Sequence, residues 1–255
     1  MISTTAIGID IGGTGIKGAV VDVATGELLS DRVKLPTPKG GRPQDIIETT
    51  RKLLATVSAG TTDLPIGVCF PAVVKNGHTM SAANVSDKWI GLAAEKLFEK
   101  GLGMPIHFVN DADAAGYAES QFGAAQGVSG VVLLTTLGTG IGTALINDGE
   151  LVPNTELGHL EIDGVDYETR AAFSAKERDN LSWEKWASRL QKYYSRLEML
   201  FTPDLFIVGG GVSKHHEDFL PLLKLNTRII PAVHRNNAGI LGAAALAVKH
   251  APVAV

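Results

Sequence analysis

The strongest constraint in this sequence is a pattern that occurs twice. Ile9-Asp10-Ile11-Gly12-Gly13-Thr14 is an apolar run ending in a Gly/Thr turn, and Thr136-Leu137-Gly138-Thr139-Gly140-Ile141 repeats it. After each turn comes a second strand-like run, with an aspartate ten residues beyond the first glycine: Gly12 to Asp22, and Gly138 to Asp148. Second turns follow, reading Gly26-Glu27-Leu28-Leu29 and Gly149-Glu150-Leu151-Val152. Two strand–turn–strand–turn–strand units predict two related domains, each opening on a three-stranded meander. Glycine-rich hairpins can also resemble each other by chance; agreement at both turns favours duplication.

Composition sets the outer limits. A chain of 255 residues suits one large domain or two ordinary ones. Its 29 glycines exceed the usual share of about 7% and fall in no low-complexity tract, so they belong at turns and close backbone approaches. The single cysteine, Cys69, excludes an internal disulfide framework and a multi-thiolate metal cage. A formal charge of −4 argues against a general nucleic-acid or anionic-membrane binder. Residues 1–9 have no basic start, and Asp10 ends the first apolar run, so no signal peptide is read and a cytoplasmic protein is expected. The uncharged stretch 120–147 is long enough to span a bilayer, but its Gln, Thr and Gly residues make it turn–strand–turn–strand.

Along the chain, strands are expected at 5–11, 16–23, 27–34, 66–70, 106–109 and 205–208, and helices at 45–55, 91–100, 111–119, 182–201 and 239–249. Gly13-Thr14-Gly15-Ile16-Lys17-Gly18 fits the dinucleotide fingerprint formally. That motif requires a helix next, whereas the following residues are β-branched and end in a turn. A Gly/Thr hairpin tip can instead bring bare amides to phosphate oxygens, with Thr14 adding a hydroxyl and Asp10 orienting a magnesium ion through water; a plain structural turn is the alternative. Asn110-Asp111 stands where a strand yields to a helix, so Asp111 either caps that helix or acts as a general base on a substrate hydroxyl, with Asn110 holding a neighbouring one. Glu156-Leu157-Gly158-His159 places an acid and an imidazole where they can bind adjacent hydroxyls of a polyol; a zinc site would need further ligands. On the helix at 182–201, Trp186, Leu190, Tyr193, Leu197 and Leu200 form an apolar face. Beside it Lys185, Arg189, Lys192 and Arg196 form a basic stripe. The stripe is either a solvated face or a path for a long polyanion.

Together these pieces resemble the ROK family of sugar kinases. Asp10-Ile11-Gly12-Gly13-Thr14 is similar to its first phosphate loop and Leu137-Gly138-Thr139-Gly140-Ile141-Gly142 to its second. Asn110-Asp111 resembles the catalytic pair, Glu156-Leu157-Gly158-His159 the sugar loop, and Gly209-Gly210-Gly211 the nucleotide-side glycines. The cysteine-rich zinc motif is missing, the chain is short, and Gly15 stands where many relatives carry a larger side chain. These traits, with 81–91 and 179–186, resemble the members of the family that use polyphosphate. The resemblance implies an α/β fold of two actin-like (ribonuclease H-like) domains with a central cleft, residues 1–112 plus 241–255 and residues 113–240. It implies transfer of the terminal phosphoryl group of polyphosphate and/or ATP to the 6-hydroxyl of glucose, and of mannose as well. Asp111 would be the base, and Asn84, Asn110, Asp111, Glu156, His159 and Glu168 would hold the hexose. Gly12, Gly13, Thr14, Gly15, Lys17, Gly138, Thr139, Gly140, Gly210 and Gly211 would meet the donor, with magnesium and without zinc, in a monomer or homodimer. A sugar-responsive regulator would need a DNA-binding segment ahead of Asp10, where nine residues stand; an NAD-dependent oxidoreductase rests on the Gly13–Gly18 match alone.

Overall fold

The first strand, β1 (Thr5–Ile11), is buried from Ala6 to Ile9 and again at Ile11, the pattern of a strand covered on both faces. It forms a hairpin with β2 (Gly15–Asp22), Ile11 opposite Ile16. The expected third strand is split into β3 (Glu27–Leu28) and β4 (Val33–Pro36), both on β2. The ladder breaks because the Ser30 hydroxyl accepts the Val20 N–H at 3.0 Å, replacing a strand carbonyl. Helix α1 (Pro43–Val57) starts on a proline and buries Ile46, Thr50, Leu53, Leu54 and Val57 along one face. Strand β5 (Ile66–Phe70) runs parallel to β1. After the small hairpin β6 (Val74–Lys75) and β7 (His78–Thr79) comes α2 (Ala94–Leu102), then β8 (His107–Asn110) parallel to β5, then α3 (Asp111–Phe122). The sheet order is β3-β2-β1-β5-β8, with β4 also on β2.

The computed structural model describes residues 4–58 and 63–251, and the chain divides into two units, Met1–Ala118 with Asn237–Val255, and Glu119–Asn236. In the second unit, β9 (Val131–Leu137) and β10 (Ile141–Asn147) form the hairpin and β11 (Glu150–Val152) extends it. Then come β12 (Glu161–Ile162), β13 (Val165–Asp166), α4 (Glu168–Ala171), α5 (Phe173–Arg178), α6 (Trp183–Phe201), β14 (Leu205–Gly209), α7 (His216–Phe219) and β15 (Arg228–Pro231). Its sheet runs β11-β10-β9-β14-β15, with β14 parallel to both β9 and β15. Each unit therefore lays its meander out as third, second and first strand, then adds two parallel strands beside the first. The paired turns agree in their glycines and differ in what their aspartates hold. Asp22 accepts the Ala24 N–H at 2.9 Å, Asp148 accepts the Gly130 N–H at 2.8 Å, and Gly26 and Gly149 adopt φ of 76° and 81°.

The two strands expected within 120–147 form, and one expectation about α6 changes. The run 120–147 supplies the end of α3, β9 and β10, and no described helix is long and apolar enough to cross a membrane. On α6, Trp186, Leu190, Tyr193 and Leu197 are buried, but Leu200 is 52% exposed. Tyr194 fills the core instead, its hydroxyl 2.6 Å from Thr135 Oγ1. Glu119, fully buried, closes the second unit by accepting the N–H groups of Ala124, Val233 and His234 at 2.8, 3.1 and 2.7 Å.

The closing helix, Ala238–Lys249, packs on the first sheet through glycine. A β-carbon on Gly8 would stand 1.9 Å from the Ile240 carbonyl oxygen, and one on Gly67 would stand 1.9 Å from that of Ala243. On the helix itself, Gly242 meets the Ala114 carbonyl of α3, where a β-carbon would approach to 1.7 Å. Backbone cannot give way as a side chain can. Gly67→Ala should therefore cost about 3 kcal/mol or more in urea unfolding. Gly211→Ala, whose β-carbon would meet nothing within 4 Å, should change stability by less than about 1 kcal/mol. A Gly67→Ala protein of near wild-type stability would contradict this packing.

Candidate active site

In the first unit the sheet brings the candidate donor residues to the C-terminal ends of its parallel strands, where ligands of open α/β sheets bind. Asp10 is the penultimate residue of β1 and pairs across the sheet with Lys17 on one side and Cys69 on the other. Lys17 Nζ donates to Asp10 Oδ2 at 2.9 Å, and the Cys69 thiol lies 3.7 Å from Asp10 Oδ1. Burial, followed by the carboxylates of Asp10 and Asp111, pushes that thiol well above its ordinary pKa, so Cys69 is a neutral wall and not a nucleophile. The tip Gly12–Thr14 is closed by the Gly12 N–H on the Gly15 carbonyl at 3.0 Å. Thr37 clamps it, its hydroxyl bonding the Gly12 carbonyl. Among the described residues no acceptor lies on the N–H groups of Gly13 or Thr14. Asn84, at φ 59°, stands beside the same turn, and a β-carbon on Gly13 would approach its Cβ to 2.8 Å.

The Asn110-Asp111 pair resolves into two jobs. Asn110 is the helix cap, its side-chain oxygen accepting the N–H groups of Ala112 at 2.8 Å and Asp113 at 3.0 Å. Its amide donates to the Ala72 carbonyl at 2.9 Å, and the residue is buried. Asp111 shares the Ala112 N–H with it. It is the first residue of α3, partly exposed, with Oδ1 accepting the Ala112 N–H at 2.9 Å.

In the second unit the turn Gly138–Gly140 and the loop Glu156–His159 are a single construction. The turn Gly138–Gly140 closes through the Gly138 N–H on the Gly140 carbonyl at 2.9 Å. The next residue, Ile141, gives its N–H to Glu168 Oε2 at 2.7 Å. A β-carbon on Gly140 would sit 2.4 Å from that oxygen, and one on Gly158 would sit 2.1 Å from the Ile141 carbonyl oxygen. The loop Glu156–His159 therefore rests on the first residue of β10. Thr143 secures it by accepting the Leu157 N–H at 3.1 Å, and Tyr193 of α6 donates to the Leu157 carbonyl at 3.2 Å. Desolvation first, with the Glu168 charge adding and His159 opposing, raises the Glu156 pKa. His159 is raised too, chiefly by its bond to Asp166, whose Oδ2 lies 2.8 Å from Nδ1. Gly210, at φ 81°, packs on the backbone of Leu137 just before the turn, and Gly211 is open.

The basic stripe is less free than its spacing implies. Arg189 pairs with Asp179 at 2.6 Å and donates to the Arg170 carbonyl, while Lys192 pairs with Asp163 in the β12–β13 turn. These two cations brace the segments around Glu168; Lys185 and Arg196 hold no ion pair within 4 Å among the described residues. No group of three His, Cys, Asp or Glu side chains among the described residues is arranged to hold a metal ion. The fingerprint Gly13–Gly18 runs into β2 and not into a helix, which removes the dinucleotide reading. Sequence reasoning missed Asp166, Thr143 and Tyr193; of these, Asp166 carried a signal, since an aspartate two residues before Glu168 at a helix start is a capping pattern.

Comparison with known proteins agrees with this arrangement. Residues 6–172 match the ROK family. The chain is 44% identical over 238 residues to the polyphosphate glucokinase of Mycobacterium tuberculosis, covering 93% of this chain and 89% of that one. It superimposes on the crystal structure of the inorganic polyphosphate/ATP-glucomannokinase of Arthrobacter sp. strain KM with a TM-score of 0.92 and 50% identity, covering 97% and 99% of the two chains. A ROK family glucokinase from Streptomyces griseus, solved with glucose and AMPPNP, gives a TM-score of 0.82 and 26% identity over 96% and 99%. With two actin-like α/β domains and both glycine hairpins in place, the chain belongs to the ROK family.

Proposed function

We propose that this protein transfers the terminal phosphoryl group of inorganic polyphosphate, and of ATP, to the 6-hydroxyl of glucose and mannose, in the cytoplasm. The observation that carries the reading is the bond from the Ile141 N–H to Glu168, which makes the phosphate turn and the sugar-binding acid one rigid piece. The identities to polyphosphate glucokinase and to polyphosphate/ATP-glucomannokinase support the same reaction.

In this mechanism Asp111 accepts the 6-hydroxyl proton as that oxygen attacks the terminal phosphorus in line. Asn110 keeps one amide N–H for a hydroxyl, since its other contacts serve the helix and Ala72. Glu156 and Glu168 accept from sugar hydroxyls, and His159, held at Nδ1, presents Nε2. The N–H groups of Gly13 and Thr14, on which no acceptor lies among the described residues, suit a donor's phosphate oxygens, as the turn Gly138–Gly140 does in its own unit; positioning and charge neutralisation are what phosphoryl transfer requires. Asp10 offers one carboxylate, which suits a magnesium ion that keeps most of its water and arrives with the donor. Bound there, magnesium would neutralise charge on the donor phosphates.

A coupled assay of glucose and mannose, each with ATP and with polyphosphate in the presence of magnesium, tests the reading directly; failure of every combination would end it. Asp111→Asn should lower kcat by about 10²–10⁴-fold while hexose still binds by calorimetry. Near wild-type turnover would remove Asp111 from the mechanism. Glu156→Ala and His159→Ala should each cost about 1–3 kcal/mol in hexose recognition, read as kcat/KM for glucose, with little change in thermal stability. For the donor, replacing Lys185, Arg189, Lys192 and Arg196 by glutamine should weaken long-chain polyphosphate use and flatten its salt dependence. ATP kinetics should change much less, because a charge on α6 is screened within roughly 8 Å at physiological salt and acts only on a phosphate chain long enough to run along the helix. Equal losses for both donors would mark the stripe as a brace for α4 and the β12–β13 turn.

A further inference from the structure

One side chain outside the proposed hexose contacts touches two of them. Asp166, the last residue of β13, accepts from His159 Nδ1 through Oδ2 at 2.8 Å and from the Glu168 N–H through Oδ1 at 3.1 Å. Its own carbonyl accepts the Thr169 hydroxyl at 2.7 Å, which fixes the first turn of α4 relative to the carboxylate. Its backbone pairs with Glu161 in the β12–β13 ladder. Both carboxylate oxygens are thus occupied on different segments, His159 from the loop after β11 and Glu168 from α4.

We infer that Asp166 is the positioning residue of the hexose loop: it fixes His159 as the Nδ1–H tautomer, with Nε2 turned to the substrate, and sets the start of the helix that carries Glu168. The inference rests on the hexose reading of His159 and Glu168. An imidazole bonded at one nitrogen has its other nitrogen defined, as an acceptor when neutral and a donor when charged. A freely rotating His159 would offer a hydroxyl either nitrogen in either role. The charged groups facing this imidazole are Asp166, Glu168 and Glu156, all acidic, and each favours the imidazolium. Proton uptake at His159 would therefore switch its Nε2 from acceptor to donor within reach of the substrate, and Asp166 governs where that switch falls. Asp166 does not touch substrate; it acts through its neighbours.

The test combines a titration with a double-mutant cycle on the full chain. The His159 ring is followed by NMR as a function of pH, assigned by its loss in His159→Ala. Hexose and donor KM are measured for wild type, Asp166→Asn, His159→Ala and the double variant. Asp166 is largely exposed, at 44% of its side chain, so Asp166→Asn is not expected to unfold the protein. The expected result is a His159 midpoint moved to lower pH in Asp166→Asn. A hexose KM raised about tenfold with donor KM unchanged should accompany it. The same substitution in the His159→Ala background should raise hexose KM by less than about threefold, the residue of its hold on Glu168. An unmoved midpoint, or an equal loss in both backgrounds, would overturn the inference. If His159→Ala alone left hexose KM intact, the hexose reading of His159 would fail whatever the titration showed, and the positioning role would fall with it.

Discussion

In the second unit the peptide group of Ile141 joins the Gly138–Gly140 turn, Glu168 and the Glu156–His159 loop. Its N–H is held by Glu168 and its carbonyl is pressed by Gly158, in a space that admits no β-carbon. A hydrogen bond to a charged partner contributes about 1.5–3 kcal/mol, while the Gly158 contact works by exclusion. Their joint effect is geometric. The residue that ends the turn Gly138–Gly140 is the one on which the loop Glu156–His159 rests. Phosphoryl transfer gains most from such fixed placement, since a displacement near 1 Å between reacting groups is costly in rate.

The first unit reaches a similar end by other means. Asp10, Cys69 and Val109 lie in one row across β1, β5 and β8, so Asp10 on β1 and Asp111 just after β8 flank the strand that carries the neutral thiol. Gly239 packs on the Asp10 carboxyl, where a β-carbon would lie 2.9 Å away. The closing helix thus supports the strand that carries the aspartate. Two side chains share the start of α3. Asn110 accepts the N–H groups of Ala112 and Asp113, so the start of α3 does not rest on the Asp111 carboxylate alone.

Much of this was legible in the sequence because it depends on local pattern. The doubled Gly/Thr hairpin, its paired aspartates and the β-branched run after Gly15 were enough to anticipate two equivalent sheets and to disfavour a dinucleotide fold. Glycines are read well when a turn explains them, as at Gly26 and Gly149. They are read poorly when the reason is a distant backbone, as at Gly67 or Gly158, because nothing nearby in the sequence indicates what approaches. The same limit explains the stripe on α6: helical spacing aligned Arg189 and Lys192, but Asp179 and Asp163, which neutralise them, come from separate turns. Leu200 fitted the apolar period and still faces solvent, since Tyr194 supplies a buried hydroxyl partner for Thr135. Asp166 shows the gap most clearly. Its proximity to Glu168 was visible, whereas its bond to His159 depends on the β12–β13 hairpin.

The central claim is that hexose binding and the second phosphate turn are mechanically one. Amide hydrogen exchange tests it most directly, comparing the protein with and without glucose in the absence of any phosphoryl donor. The account predicts that glucose slows exchange in 156–168 and in 138–141 together, the Ile141 amide included, and that Glu168→Ala abolishes the effect in both. Glucose protection confined to 156–168, with 138–141 exchanging as before, would contradict it.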